Sequence, residues 1–300
     1  MEAGEERAHP LVSVVVPVRD GRSTIVDQLD GLFLQDAAFA WELVVSDNGS
    51  TDGTVTDVVR PSVHRSPVAL KIVDSSDRPG AAGARNAGAA VASGGWLAFC
   101  DADDVASPGW LRELVEASCG SALVGGPYDG RRLNPRSRLR WRAATVMTEL
   151  PRPMEFLPFA LSGNLLIERA VFEALGGFDE SLPASGGGED VDLSWRAQLS
   201  GARLAYAPAA VMHWRLRSTP CATGRQVAAF AESQAFLYRR YRSLGARRRR
   251  TRAGLADVLY CSLRLPYVFM GPARAGLWFV RAGQLVGRWR GGVKYRVFFP

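Results

Sequence analysis

Three short apolar runs constrain this chain more than anything else in it. They occupy residues 11–16, 41–45 and 96–99, and each is followed within a few positions by an acid: Asp20, Asp47, and the pair Asp101 and Asp103. Runs this short are of strand length, and their continuous apolar character reads as burial on both faces. Such strands need helices on both sides. In an open α/β sheet, ligands bind outside the carboxyl ends of the strands, where the strand order reverses. One fold argument therefore gathers four scattered carboxylates into one crevice. Acid-lined crevices suit hard divalent cations, and those cations usually carry phosphates.

The segments between the runs fit that scheme. A polar break at 19–23 leads into a helical stretch to about Leu34, a third strand is expected at 68–73, and the small-residue segment 81–92 reads as a helix able to pack close to a sheet. Residues 47–53 form a dense turn signal, and Pro108 marks another helix start. This alternation over roughly the first 125 residues predicts a doubly wound sheet. Residues 133–158 read as irregular loops over the crevice. After them come a strand at 162–167, a short helix at 168–175 stopped by Gly176-Gly177, a helix running from Gly186-Gly187-Gly188 to about Ser200, a strand at 203–206, and a helix from Gly224 to about Tyr241.

Three hundred residues leave room for one large α/β domain and an appendage. Residues 1–10 hold Glu2, Glu5 and Glu6 and no apolar stretch, so no export signal is expected there. No run of about 18 uncharged apolar residues predicts a membrane span. Cys100, Cys119, Cys221 and Cys261 form no C-x-x-C pair. That argues against a zinc site or a disulfide framework and fits a reducing cytosol. The net charge of +7 is unevenly placed. From Arg239 onward fifteen Lys/Arg face a single acid, Asp257, so the tail carries +14 and the body −7. A tail of that sign is expected to meet an anionic partner. Arg outnumbers Lys 35 to 2, which reads equally as GC-rich coding and as use of bidentate phosphate contacts.

The candidate chemistry starts at Asp101-Ala102-Asp103. Taken alone, the triplet is either a metal and ribose site or ordinary turn and capping chemistry. The turn from Asp47 to Gly53 is a second acceptor-rich loop at a strand end. Asp190 follows glycines at a helix start, where an ionised carboxylate is favoured, and reads either as a general base or as a cap. His213, beside Trp214, is either a metal ligand or a satisfied histidine.

Five segments taken together resemble the inverting family-2 glycosyltransferases of the GT-A fold. They are Val12-Ser13-Val14-Val15-Val16-Pro17-Val18, Asp47-Asn48-Gly49-Ser50-Thr51-Asp52-Gly53-Thr54, Gly83-Ala84-Arg85-Asn86-Ala87-Gly88, Asp101-Ala102-Asp103-Asp104, and Gly188-Glu189-Asp190-Val191-Asp192-Leu193-Ser194-Trp195-Arg196. The resemblance spans about Val12 to Arg217, two thirds of the chain. Where Asn48 stands the family usually has Asp.

The resemblance implies an α/β fold: a doubly wound, mostly parallel sheet of the nucleotide-diphospho-sugar transferase type with a C-terminal helical appendage. Residues 11–217 would be the catalytic domain, with a nucleotide-binding half at 11–125 and an acceptor half at 126–217. Residues 224–300 would be a basic helical segment. Pro17, Asp20, Asp47, Asn48, Arg85 and Asp101 would hold a nucleoside-diphosphate sugar. Asp103 and His213 would ligate Mn²⁺ or Mg²⁺, a mixed oxygen and nitrogen set tilting the choice to Mn²⁺. Asp190 would take the proton of an acceptor hydroxyl on a glycan, a lipid-linked sugar or a small molecule. Gly186–Gly188 would let a loop close on substrate, and no role is assigned to Ser162-Gly163-Asn164.

Two rivals differ in class. Asp101-Ala102-Asp103-Asp104-Val105 also fits the D-x-D-x-V pattern of haloacid-dehalogenase-like phosphatases, with Asp101 as nucleophile. Those enzymes need a downstream lysine, whereas Lys71 lies upstream and Lys294 nearly at the end. The second rival is a nucleotide-sugar-binding protein without catalysis. A dinucleotide-binding fold is disfavoured, because Gly80, Gly83 and Gly88 do not make G-x-G-x-x-G. No nucleic-acid recognition motif is present, and an acidic crevice repels polynucleotide. Aromatic and leucine residues interleaved with Arg over 245–300 predict contact with an anionic membrane surface, against an ordinary helical subdomain with a solvated basic face. The expected location is the cytoplasm, at the inner membrane face.

Overall fold

The computed structural model describes residues 11–141, 146–182, 187–248 and 250–300. Residues 1–10, Gly186 and Arg249, on which parts of the sequence reading fall, lie outside the described residues.

Among the described residues ten strands form, in chain order. They are β1 (Val12–Val18), β2 (Trp41–Asp47), β3 (Ala69–Asp74), β4 (Trp96–Cys100), β5 (Val105–Ala106), β6 (Leu123–Gly125), β7 (Tyr128–Asp129), β8 (Asn164–Glu168), β9 (Leu204–Tyr206) and β10 (Met212–His213). Seven make one sheet in the order β3-β2-β1-β4-β8-β6-β9. β1 to β4 are mutually parallel, β8 is antiparallel to both β4 and β6, and β6 and β9 are parallel. Six of the seven strands therefore run one way, as the apolar runs predict. The order reverses between β1 and β4, which fixes where the crevice opens. β5, β10 and β7 form a small second sheet beside that opening.

Both faces of the main sheet are covered. Val12, Val14, Val16 and Val18 of β1 pack into one core cluster with Leu29, Leu32, Trp110 and Leu114. Val15 points the other way, into a cluster with Ala89, Phe99, Phe172, Phe178 and Leu193. This alternation is the strand period of two. The covering helices are α1 (Ile25–Phe33), α2 (Arg60–Ser62), α3 (Ala81–Val91), α4 (Trp110–Glu116), α5 (Arg136–Leu139), α6 (Arg169–Ala174) and α7 (Glu189–Leu199). Among the described residues of 133–158, the chain is irregular apart from the single turn of α5 and a 3₁₀ turn at Pro153–Glu155, and residues 142–145 of that stretch lie outside the described residues.

Three further helices follow: α8 (Pro220–Tyr241), α9 (Thr251–Leu263) and α10 (Pro272–Lys294). α8 starts four residues before the expected Gly224. The Thr219 side chain accepts a hydrogen bond from the Ala222 amide, and Pro220 occupies the first turn, a favoured start. Gly224 lies inside the helix because α10 passes close: a Cβ there would sit 2.9 Å from the Phe279 carbonyl oxygen. A Cβ on Gly287 of α10 would likewise overlap the Ala228 carbonyl.

α8 packs directly against α7. Its Leu237 and Tyr241 join Val191, Trp195 and Phe159 in one cluster. The Tyr241 hydroxyl donates to buried Asp192 at 2.7 Å, and Arg240 approaches Asp192 at 3.0 Å and Asp179 at 2.6 Å. Among the described residues no helix is long and apolar enough to cross a membrane.

Candidate active site

Two cavities meet at the β1–β4 switch. The larger, about 830 Å³, is walled by Pro17 and the loop after β1, by Asn48, by the start of α3, by Asp101–Asp103, by Arg138 of α5 and by 215–218 beyond β10. The smaller, about 450 Å³, is walled by Tyr128, Ser162, Gly163, Asp190, Trp214 and, from α8, by Gln226, Val227 and Phe230. Arg85, Asp101 and Arg217 border both. A ligand filling the larger cavity can therefore present one end to the smaller.

At the end of β4, oxygens of Asp101, Asp103 and Asp104 lie within 4.8 Å of one another. Burial pushes the Asp103 carboxyl up, and the Asp101 charge adds to it, while Arg217 at 3.7 Å eases it. Asp104 is almost fully buried and is pushed well up by burial and by both neighbouring acids. One of its oxygens accepts the Arg215 backbone N–H at 2.8 Å. The Asp101 oxygen that pairs with Arg85 stands 2.6 Å from it. Crowded carboxylates of this kind repel one another, and a divalent cation relieves that repulsion. The donor set is all oxygen, which suits Mg²⁺ and Mn²⁺ alike.

Arg85 is the hinge between the cavities. It projects from α3, only 3% exposed, and bonds Asp101 on one side and Glu189 of α7 at 2.9 Å on the other. Burial alone would lower its pKa, but the Asp101 and Glu189 charges outweigh that and raise it. The guanidinium also lies 5.6 Å from the Phe178 ring centre, at cation–π range.

Asp190 opens α7. Gly188, at φ 100°, caps the helix in the left-handed region that glycine tolerates best. One Asp190 oxygen accepts the Val191 N–H at 2.8 Å, and the other lies 3.4 Å from the Ser162 N–H. The helix start by itself favours an ionised carboxylate here. Burial wins instead: with the neighbouring Glu189 charge it raises the carboxyl to about 7, against the pull of Val191, Arg85 and Ser162. Gly163 passes hard against Asp101 and the Tyr128 hydroxyl, leaving no room for a side chain. Behind it Asn164 ties the floor together, accepting from the Trp110 indole at 2.7 Å and donating to the Pro127 and Ala210 carbonyls at 2.9 Å each.

The other residues singled out from sequence divide into two groups. Pro17, Asp20, Asn48, Arg85, Asp101 and Asp103 all line the larger cavity. Asp20, at φ 49°, accepts the Thr51 N–H at 2.8 Å and so clamps the β1 loop to the β2 loop. Asn48 explains its own departure from the usual Asp. Its amide donates to the Ser75 and Arg78 carbonyls at 2.7 and 2.8 Å and accepts from the Gly80 N–H at 2.9 Å, and an ionised Asp could make only the last of these. Asp47 is not among the lining residues; its carboxylate folds back on the Ser50 N–H at 3.2 Å.

His213 is not brought into the acid group. It sits in β10 opposite Val105 and beside Asp129, and its pKa is lowered by burial and by Arg132 and Arg131, with Asp129 opposing. The sequence reading missed Arg138, Arg215 and Arg217 on the larger cavity, and Tyr128, Trp214, Gln226 and Phe230 on the smaller. Residues 213–217 alternate His, Trp, Arg, Leu, Arg, so the extended period could have drawn attention to Arg215 and Arg217 as a pair.

This sheet order, with its crevice and acids beyond β4, is the GT-A architecture. Solved structures share it. The mannosyltransferase PcManGT from Pyrobaculum calidifontis, in complex with GDP-Man and Mn²⁺, aligns with a TM-score of 0.63 at 19% identity over 95% of this chain and 88% of that one. TarS 1–349 from S. aureus in complex with UDP-GlcNAc aligns at 0.54 and 18% identity over 96% and 93%. The chain belongs to the family described as glycosyl transferase family 2, whose pattern matches residues 13–176. Among curated relatives, the pre-mycofactocin glycosyltransferase of Mycobacterium tuberculosis is 29% identical over 68% of this chain and 43% of its own length. The validoxylamine A glucosyltransferase of Streptomyces hygroscopicus subsp. jinggangensis is 32% identical over 64% and 52%. The chain thus spans about half the length of these relatives.

Proposed function

We propose that the chain moves a sugar from a nucleoside-diphosphate sugar to a hydroxyl of a glycan, a lipid-linked sugar or a small molecule, with inversion at the anomeric carbon. The observation that carries this is the junction of the two cavities, where Asp190 lines the smaller one next to Glu189, the partner of the Arg85 that pairs with Asp101 and borders both. The nucleotide and diphosphate would occupy the larger cavity, where Arg138, Arg215 and Arg217 offer cations to an anion. The acceptor would enter the smaller, whose Trp214 and Phe230 give it aromatic walls. The names of the relatives and the nucleotide-sugars in the solved neighbours support the same class.

In the step itself the acceptor oxygen attacks the anomeric carbon and its proton passes to Asp190. The bond from that carbon to the diphosphate breaks, and its electron pair leaves with the diphosphate. A base with pKa near 7 is matched to that task at neutral pH. Arg85 holds Asp101 and Glu189 in place, so the donor side and the base keep one geometry. Asp103, flanked by Asp101 and Asp104, would hold a divalent cation, which supplies neutralising charge to the leaving diphosphate. The phosphatase reading finds no support: Lys71 is engaged by Glu42 at 2.8 Å and Lys294 by Glu232 at 2.8 Å, neither at Asp101.

The test is nucleoside-diphosphate release from a panel of nucleotide-sugars, with Mn²⁺, with Mg²⁺ and with chelator. Release from one donor that chelator abolishes, and that Asp103→Ala reduces by ~10²-fold or more, is expected. Undiminished release by Asp103→Ala in chelator would remove the metal from the reading.

A further inference from the structure

The large apolar side chains that the fold leaves in solvent are concentrated at one end of the chain. Among the described residues, thirteen of the eighteen that are exposed lie between Leu244 and Phe298. α9 is the clearest case, because it is inside out. Its inward positions are Gly254, which meets Pro300, and Asp257, whose carboxylate pairs with Arg281 at 2.9 Å and Arg288 at 2.7 Å. Its outward positions are Leu255, Leu259 and Leu263, four residues apart and 65%, 59% and 70% exposed. A helix on a water-facing surface shows the reverse arrangement. The turn that follows continues the exposure, with Leu265, Met270 and above all Phe269, which is 88% exposed.

Cations border this face. Arg252 stands exposed in the first turn of α9. Arg264 and Arg274 lie over the Tyr267 ring at 4.9 and 5.8 Å, beside Phe269 and Met270. The tail's one acid, Asp257, is buried and paired inside, so no acid from residues 239–300 reaches the surface to oppose them.

We propose that this face lies on a bilayer containing anionic phospholipids, with the α9 leucines and Phe269 in the acyl boundary and the arginines among the headgroups. Charge selects the occupant. A second copy would bring its own +14 tail against this one, whereas an anionic bilayer meets both the cations and the leucines. None of these residues lines either cavity, so the inference stands apart from the transfer reading.

The full chain would be floated with vesicles of phosphatidylcholine alone and with vesicles holding roughly a third phosphatidylglycerol. Binding to the anionic vesicles, weakened by salt, is expected, together with a fall of about tenfold for Phe269→Glu and for Arg264→Glu/Arg274→Glu. An unchanged circular-dichroism spectrum and thermal melt show that these variants fold. Two results would overturn the proposal. One is partition onto anionic vesicles that neither variant alters. The other is a concentration-dependent dimer in sedimentation that Phe269→Glu dissociates, which would make the face a contact between copies.

Discussion

The two cavities are built by different means. The larger is made of strand ends: Pro17 lies in the last residues of β1, Asn48 directly follows β2, Asp101 to Asp103 directly follow β4, and the sheet order brings them together. The smaller is made of pieces far apart in sequence, from Tyr128 through Ser162 and Asp190 to Phe230 on α8. Its shape depends on packing between α7 and α8, held by Tyr241–Asp192 and by the Trp195–Tyr241 ring contact at 5.0 Å. On the proposed assignment of the cavities, donor recognition would be mainly a property of the sheet and acceptor choice a property of the helices laid on it. Variants that affect one cavity and spare the other test that separation.

The largest effect is expected at Asp190. Asp190→Asn removes the proposed base and should lower transfer by about 10²–10⁴-fold while donor affinity, measured by calorimetry, stays within about twofold. Loss of donor affinity in parallel would mean that the cavities are not separable. The same variant carries a pH signature. The folded carboxyl, raised to about 7 from an unfolded value near 3.8, favours the neutral form. Its burial carries no ionisation cost well below the unfolded value of 3.8, and stability is lost as pH climbs from there towards 7, above which the full cost applies. Wild-type kcat/KM should rise through pH 7 as the base ionises. Asp190→Asn should melt higher than wild type at pH 8, by ~1–4 kcal/mol in stability, with the difference gone well below pH 3.8.

Arg85 is where the separation should fail. Its guanidinium is buried between Asp101 and Glu189. Arg85→Met leaves both acids without their cation and should cost about 3–5 kcal/mol of stability. Donor affinity and transfer should fall together, unlike in Asp190→Asn. A thermal melt and a donor titration on the same preparation check both. A stable Arg85→Met protein with intact donor binding would show that the two sites are not coupled through this side chain.

The same contrast explains what the sequence shows and what it hides. β1 to β4, β8 and β9, the doubly wound order and the acids beyond β4 follow from apolar runs and turn residues, which are local signals, whereas β5, β6, β7 and β10, only two or three residues long, are too short to stand out and are absent from the sequence reading. The start of α8 was misjudged because Gly224 looks like punctuation, yet it is glycine for the close approach of α10, a contact only tertiary structure reveals. Asp190 was placed correctly at a helix start, but its environment was not. Helix dipole and capping are legible locally, whereas the burial that outweighs them comes from segments more than twenty residues away. Arg138 and Phe230 carry no motif at all and reach their cavities through loop and helix packing.

The smallest predicted effect concerns the position where this chain departs from its family. Asn48 holds the loop after β3 against the start of α3 by donating to two carbonyls and accepting one amide. Asn48→Asp, the residue usual in the family, keeps the acceptor but loses both donors and sets a negative oxygen against the Ser75 and Arg78 carbonyls. With the side chain 6% exposed, water cannot make up the loss. The substitution should cost about 1–3 kcal/mol and loosen donor binding by a few fold, because Pro79, Gly80 and Ala81 line the larger cavity. Transfer at saturating donor should fall less than donor affinity, since Asp190 and the α8 wall keep their places while Pro79, Gly80 and Ala81 border the smaller cavity as well. Chemical denaturation alongside a KM and kcat comparison separates the two effects. A neutral Asn48→Asp would show that the amide is not what holds these loops together, and that the donor cavity keeps its shape through the sheet alone.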